Sequence, residues 1–520
     1  MQQAKNNPYS TYSRLHEVIY GRAEEAPASL AMRDAKYQLT YGELLEVVES
    51  TANTLKGLSV RPGDRILLVA ENCTALATLV LAASACDAWA VVVNARLSAR
   101  EIDSFVEHSG ARRVFFTGEF SKDARAHAER FGAASQALGR VGTVSVSGLN
   151  ELATPEAVCI APEEQVAAMI YTSGTSGRPK GVMLTHANLL FMASSFQALR
   201  RVGPGDIVYG VLPMAHVVGL SSQLLGALFC GAALVLDERF TPERLLAELR
   251  NGLTVLIGVP AMYARMIDWC AKEGITLRGH ALRVLGTAGA PLTPDLKAAI
   301  EAAFGCPLQN GYGLTEMSPT VAQTRLESPR KDCSIGAPIP GVEIRIVDLN
   351  GNDVGEGETG ELWVRGPNLM KGYYHDEDQT RRAVNTEGWF NTGDMARQGS
   401  DAALFIVGRT KELIIRSGFN VYPVEVEEVL NSHPAVVQSA VVGRSVQDNE
   451  EVVAFIEIAS NADLSKDELM AFLRRQLSPY KIPAEVRTMP TLPAAPTGKL
   501  LKNEMKHLAA RPASAPQLTL

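Results

Sequence analysis

The stretch Tyr171-Thr-Ser-Gly-Thr-Ser-Gly-Arg-Pro-Lys180-Gly181 carries the clearest chemical signal in the chain. It follows the apolar run Val166–Ile170, so a buried strand would deliver it to a loop. Gly174 and Gly177 would let backbone N–H groups approach an anion closely. The hydroxyls of Thr172, Ser173, Thr175 and Ser176 add donors, and Lys180 adds positive charge. This is the chemistry of a loop that grips phosphate oxygens. Taken alone, the stretch is equally well read as a flexible surface turn. It is not a Walker A loop, because Pro179 precedes the lysine and Gly181 follows it where that pattern needs Gly-Lys-Ser/Thr.

Four more groups could act on such a phosphate. Glu316 ends Tyr312-Gly-Leu-Thr-Glu316, and a carboxylate beside a polyphosphate is destabilising unless a hard cation lies between them, which makes it a candidate Mg²⁺ ligand. Asp394 lies in Thr392-Gly-Asp394, Arg409 in Gly408-Arg409-Thr-Lys411, and Lys499 in Pro496-Thr-Gly-Lys499. Read singly, these four are a loop acid, a turn residue, a surface ion-pair partner and a solvated charge.

The elements that must position them form an α/β chain. A length of 520 residues exceeds what one hydrophobic core organises, so at least two domains are expected. Apolar runs at Arg65–Ala70, Val166–Tyr171, Ala233–Asp237, Val255–Val259 and Leu282–Gly286 alternate with helical patterns, which predicts largely parallel, buried sheets. Thr241-Pro242 and Thr293-Pro294 each set an N-cap hydroxyl before a proline at the first helical position. Ser465 and Glu468 predict a capping box for a helix over Lys466–Leu477. After Cys333 short strands punctuated by glycines predict a β-rich subdomain at about 334–409, closing an N-terminal domain of 1–409. A small α+β domain of 410–508 follows, and the residues 509–520, with two prolines and small side chains, are expected to be disordered.

Bulk properties exclude other classes. A net charge of −7 argues against a nucleic-acid or anionic-membrane footprint. The seven cysteines are scattered without a Cys-x-x-Cys pair, which reads as reduced thiols rather than a disulfide framework or zinc site. Residues 1–30 lack a secretory pattern. The run Ala77–Val93 contains Asp87 and is too short to span a bilayer; it reads as a buried helix leading into a strand at Ala90–Val93. A cytoplasmic protein without an integral membrane segment is expected.

The loop at Tyr171–Gly181 resembles the signature of the adenylate-forming superfamily: acyl-CoA synthetases, amino-acid adenylation domains and firefly-type luciferases. The strings at Tyr312–Glu316, Thr392–Asp394, Gly408–Lys411 and Pro496–Lys499 follow in that family's order, and Thr40-Tyr-Gly-Glu-Leu44 resembles a further element upstream. The resemblance covers roughly residues 15 to 508 and is nearest to bacterial fatty-acyl and aroyl-CoA ligases. It implies a large N-terminal domain of layered mixed and parallel sheets flanked by helices, with a small mobile α+β C-terminal domain. The implied reaction uses ATP and Mg²⁺ to turn a carboxylic acid into an acyl-adenylate, then passes the acyl group to free coenzyme A.

The roles that follow from the resemblance are these. Thr172, Ser173, Gly174, Thr175, Ser176, Gly177, Lys180 and Thr315 contact phosphate. Gly289, Ala290, Pro291, Asn310, Gly311, Tyr312 and Gly313 surround the nucleotide, with Tyr312 packing on adenine. Asp394 accepts from the ribose hydroxyls, Arg409 touches ribose and phosphate, and Glu316 holds Mg²⁺. Lys499 bridges carboxylate and α-phosphate; Thr172, Lys180 and His216 complete the catalytic set. Lys411 is the hinge about which the C-terminal domain rotates. His216, Ser417, Gly418 and Phe419 line the coenzyme A channel. His216, Val217, Ser221, Tyr263, Gly289, Gly313, Leu314 and Met317 line the acyl pocket.

Departures from the family's subgroups narrow the substrate. Adenylation domains carry Phe-Asp where this chain has Ala215-His216, which disfavours an α-amino acid. Plant coumarate ligases and luciferases place a lysine at the position of Ile415. Acetate enzymes place a tryptophan where Gly313 stands, and no arginine in 312–318 would pair a second carboxylate. A small apolar wall suits a medium or long fatty acid or an aryl acid, and both stay open. The alternatives are a ligase that loads a carrier protein and a catalytically silent ATP-binding regulator. A homodimer is allowed for.

Overall fold

The computed structural model describes residues 12–173, 179–348, 350–416, 419–446, 449–459, 464–494 and 500–511. Two large mixed sheets dominate. In the first, of eight strands, Arg65–Ala70 is central and pairs in parallel with Trp89–Asn94 and Arg113–Phe116. All six residues of Arg65–Ala70 are buried, as a continuous apolar run between helical layers requires. The helix Thr74–Ala85, buried along almost its whole length, leads into Trp89–Asn94, as expected from the sequence.

In the nine-stranded sheet, Ile207–Gly210, Ala233–Leu236, Val255–Gly258, Val284–Thr287 and Leu308–Gly313 run parallel. Its helices start where their caps dictate: Thr241 accepts from Arg244 N–H ahead of Pro242–Arg250, and Thr293 from Leu296 N–H ahead of Pro294–Phe304. Thr40 and Glu43 form a reciprocal capping box that opens the helix Tyr41–Gly57. The string Thr40–Leu44 is thereby accounted for by helix initiation.

Both sheets end in antiparallel edges. Gly372–Tyr373 pairs with Pro179–Thr185, and Thr320–Gln323 folds back on Leu308–Gly313. The β-rich subdomain is a separate antiparallel sheet of four strands, Glu343–Val347, Thr359–Arg365, Phe390–Gln398 and Leu404–Arg409.

Beyond Arg409 the chain builds two further cores around the sheet Val436–Val446, Asn449–Ile458 and Glu485–Thr488. The helices Pro423–Asn431, Lys466–Gln476 and Lys502–Ala509 pack on it. Ser465 caps the second of these through Glu468 N–H. The expectation of a disordered tail from residue 509 needs correcting. Ala509 is 1% exposed, and its carbonyl and that of Arg511 accept from Arg487 Nη2. A buried guanidinium needs these acceptors, so 509–511 belong to the packed domain; 512–520 lie outside the described residues.

Candidate active site

The described ends of the Tyr171–Gly181 stretch sit on an antiparallel hairpin. The strand Val166–Ser173 pairs with Pro179–Thr185 so that Thr172 faces Lys180 across the ladder. Lys180 therefore stands on a strand, where the apolar run Val182–Leu184 anchors it, rather than within the loop expected from the sequence. Tyr171, at the loop's base, is fixed twice: its ring stacks on Phe105 at 4.2 Å, and its hydroxyl meets His108 Nδ1 at 2.8 Å. Gly174, Thr175, Ser176 and Gly177 lie outside the described residues.

The motif Tyr312–Glu316 leaves the carboxyl end of Leu308–Gly313, next to the end of Val284–Thr287 that carries the exposed Gly289, Ala290 and Pro291. Ligands of open α/β sheets settle at such strand ends. The motif is pinned from afar. Asn368, fully buried, donates to the carbonyls of Met317 and Thr320, and Met370 N–H donates to the Glu316 carbonyl. Glu316 Oε1 accepts from the Tyr373 hydroxyl at 2.8 Å, and Lys180 Nζ lies 5.0 Å from the centre of the Tyr373 ring. One aromatic residue thus meets a carboxylate through its hydroxyl and an ammonium through its ring. Burial and the Glu316 carboxylate hold the Tyr373 phenol protonated.

Asp394, 7% exposed, joins this motif to the four-stranded sheet. Its Oδ2 accepts from the Tyr312 hydroxyl at 2.6 Å, and its Oδ1 lies 3.2 Å from Arg409 Nε, the residue directly across the ladder. Burial and Asp394 push the Tyr312 phenol well above its usual range, so it stays a donor. Both carboxylate oxygens are thus fixed in place between the motif and the four-stranded sheet. Asn310 is different: its amide donates to the Cys333 and Ser334 carbonyls and is committed to the fold.

Gly313 is explained by a close approach. A Cβ there would stand 2.1 Å from the Pro319 carbonyl oxygen, which also accepts Leu314 N–H. Its smallness therefore follows from this backbone contact as well as from any pocket. Gly313→Ala is expected to destabilise the fold by about 1–3 kcal/mol through overpacking, measured by denaturant unfolding; unchanged stability would refute the contact.

Among the other pocket positions, Val217, Ser221 and Met317 are buried, and Tyr263 belongs to the core. Its hydroxyl donates to the Gly286 carbonyl at 2.6 Å and its ring meets Phe304 edge-on. His216 is exposed, just before a π-helical segment, Val218–Leu225. Such segments occur often at functional sites. Gly219 permits the turn, since a Cβ would stand 2.3 Å from the Pro213 carbonyl. Among the channel residues Phe419 is half exposed and stacks on Tyr480 at 4.6 Å; Ser417 and Gly418 lie outside the described residues, as does Lys499. Lys411 stands in the turn Thr410–Glu412, its pKa lowered by partial burial and by Arg409.

Tyr373 and Asn368 carry no motif and were not legible in the sequence. They reach Glu316 and its neighbours from more than fifty residues away. Among the described residues, no cluster of three metal-ligating side chains occurs. One carboxylate plus substrate phosphates is the usual protein contribution to a Mg²⁺ site, and Glu316 fits it. None of the described helices is long and apolar enough to cross a membrane.

Residues 20–374 match the family model for the AMP-binding enzyme, and 425–499 that for the AMP-binding enzyme C-terminal domain. The feruloyl-CoA synthase of an Amycolatopsis species is 33% identical over 93% of this chain and 97% of its own. The long-chain-fatty-acid–CoA ligase of Yersinia pestis is 30% identical over 96% and 94%. The structure of O-succinylbenzoate coenzyme A synthetase from Bacillus subtilis, in complex with ATP and magnesium ion, superposes with a TM-score of 0.81. It is 28% identical and covers 94% of this chain and 99% of its own. Sequence and fold converge: the chain belongs to the AMP-binding enzyme family, among its acyl- and aryl-CoA ligases.

Proposed function

We propose that the enzyme activates a hydrophobic carboxylic acid, a medium- or long-chain fatty acid or an aryl acid, and joins it to free coenzyme A. The acid's carboxylate oxygen forms a bond to the α-phosphorus of ATP, the bond to the β-phosphate oxygen breaks, and pyrophosphate leaves. The coenzyme A sulfur then bonds to the acyl carbon, the carbon–oxygen bond to AMP breaks, and the thiol proton is lost. The observation that supports this reading is the buried Asp394 carboxylate, oriented by Tyr312 and Arg409 at the end of the Tyr312–Glu316 motif.

In the first step two anions must meet, so the site works by placing positive charge. Asp394 orients the ribose. Lys180, braced over Tyr373, faces the phosphates, and Thr172 stands opposite it. Lys499 joins the acid's carboxylate to the α-phosphate. Mg²⁺, which Glu316 would hold together with phosphate oxygens, supplies further charge neutralisation. Rotation at Lys411 then brings the C-terminal domain's Phe419 region to the thiol entrance, with His216 between acyl and thiol paths. The buried apolar side chains Val217 and Met317, next in sequence to His216 and Glu316, support an apolar tail.

The test is AMP release from ATP with octanoate, palmitate, benzoate and cinnamate, each with and without free coenzyme A. Turnover with one acid class, dependent on coenzyme A, is expected. Acid-dependent pyrophosphate exchange without thioester would replace free coenzyme A by a carrier-bound thiol; no turnover with any of the four would overturn the hydrophobic-acid reading.

A further inference from the structure

The link between the N-terminal sheets and the last domain is tied down on both sides of one residue. Before it, Thr410 Oγ1 donates to Glu361 Oε1 at 3.1 Å. Glu361 is itself held in the four-stranded sheet by Asn391 Nδ2 at 2.8 Å and Trp363 Nε1 at 3.2 Å. After it, Glu412 Oε2 accepts from Lys502 Nζ at 3.0 Å, and the same ammonium lies 2.7 Å from Glu427 Oε1. Glu427 also accepts Val441 N–H at 2.7 Å, which joins the group to the domain's main sheet. Lys411, between the two ties, is exposed. The Leu413 N–H, bonded to the carbonyls of Arg409 and Thr410, spans Lys411, so a rotation of the domain at this residue would open that turn while leaving the ties on either side intact.

The ammonium at the centre of the second tie is well enclosed, with side-chain exposures of 16% for Lys502, 20% for Glu412 and 11% for Glu427. Burial alone would favour its neutral form, but Glu427 and Glu412 together keep it charged. A buried ion group of this kind tolerates little displacement, because separating its members leaves charge without solvent. Lys502 opens the helix Lys502–Ala509 and follows Lys499 by three residues, so whatever anchors Lys502 also constrains the approach to Lys499.

We propose that Lys502 is a positioning residue for adenylate formation: clamped by Glu412 and Glu427, it makes the far side of the pivot and the chain leading to Lys499 turn as one body. The inference rests on the role proposed above for Lys499. In this role Lys502 acts through the short chain that joins it to Lys499 in sequence.

The experiment uses the full chain with the acid of the panel above that turns over fastest, and with its synthetic acyl-AMP. Pyrophosphate exchange reads the first half-reaction, and acyl-CoA formation from supplied acyl-AMP reads the second. Lys502→Met and Glu412→Gln are expected to slow exchange about ten- to a hundredfold, the cost of misplacing a reacting group by an ångström or so. Thioester formation should change little, and Lys502→Arg should restore most of the exchange. Glu412→Gln keeps the Lys502–Glu427 pair, so it decides the matter if Lys502→Met does not fold. Equal loss in both half-reactions, or unchanged exchange in Glu412→Gln, would overturn the clamp. Lys499→Ala is measured alongside: if it retains exchange, the Lys499 assignment fails; if it loses exchange while the clamp variants keep theirs, only the clamp fails.

Discussion

Lys499→Ala is expected to lower adenylate formation by about 10²–10³-fold, the usual cost of removing one preorganised group from a developing charge, while acyl-CoA formation from supplied acyl-AMP should survive. The asymmetry follows from the two reactions. In the first, a carboxylate must approach a phosphate that already carries negative charge, and a cation that touches both lowers the repulsion where it is greatest. In the second, a thiol attacks a mixed anhydride that is already activated, and AMP is a good leaving group without a bridging lysine. Single-turnover assays of the two halves measure this directly. Comparable loss in both would mean that Lys499 supports the fold or a shared binding step.

Asp394→Ala, if Asp394 orients the ribose as proposed, is expected to raise the KM for ATP about a hundredfold or more. A hydrogen bond to a charged acceptor contributes about 1.5–3 kcal/mol, and two ribose hydroxyls on one carboxylate exceed a factor of a hundred at about 1.4 kcal/mol per decade. The Asp394 carboxylate is fixed by Tyr312 and Arg409, so little orientational freedom is lost when the nucleotide arrives. Asp394→Asn keeps one acceptor oxygen but lacks the charge, and its effect should be intermediate. Steady-state kinetics in ATP, run beside thermal unfolding, separates the alternatives: an unchanged KM with a lowered Tm would make Asp394 a structural anchor between sheets.

What could be read in advance divides by distance along the chain. The strand Arg65–Ala70 and the helix starts at Thr241 and Thr293 announce themselves through local burial pattern and cap chemistry. Tyr312 and Asp394 are 82 residues apart, and no local rule pairs them; the family resemblance marked both, but the hydrogen bond between them is a finding of the structure. Tyr373, Asn368 and Glu361 escaped notice because an aromatic, an amide and an acid in separate strands and loops have no periodic signature. Their roles arise only where three sheets meet. Local reading also erred where tertiary packing overrides composition. The prolines and small residues of 509–520 suggested a loose end, yet Arg487 takes the carbonyls of Ala509 and Arg511.

The short pairing of Gly372–Tyr373 with Pro179–Thr185 bears on how the protein is made. Lys371 N–H donates to the Met183 carbonyl and Tyr374 N–H to that of Gly181, so the outer edge of the phosphate hairpin is covered by residues almost two hundred positions later. Until the ribosome has delivered them, that strand presents unpaired backbone donors and acceptors, a template for pairing with another nascent chain. Synthesis proceeds at roughly 5–20 residues per second, so the exposed interval lasts on the order of ten seconds or more. Chaperone demand should therefore peak before residue 374 emerges and fall once it has, well ahead of the C-terminal domain.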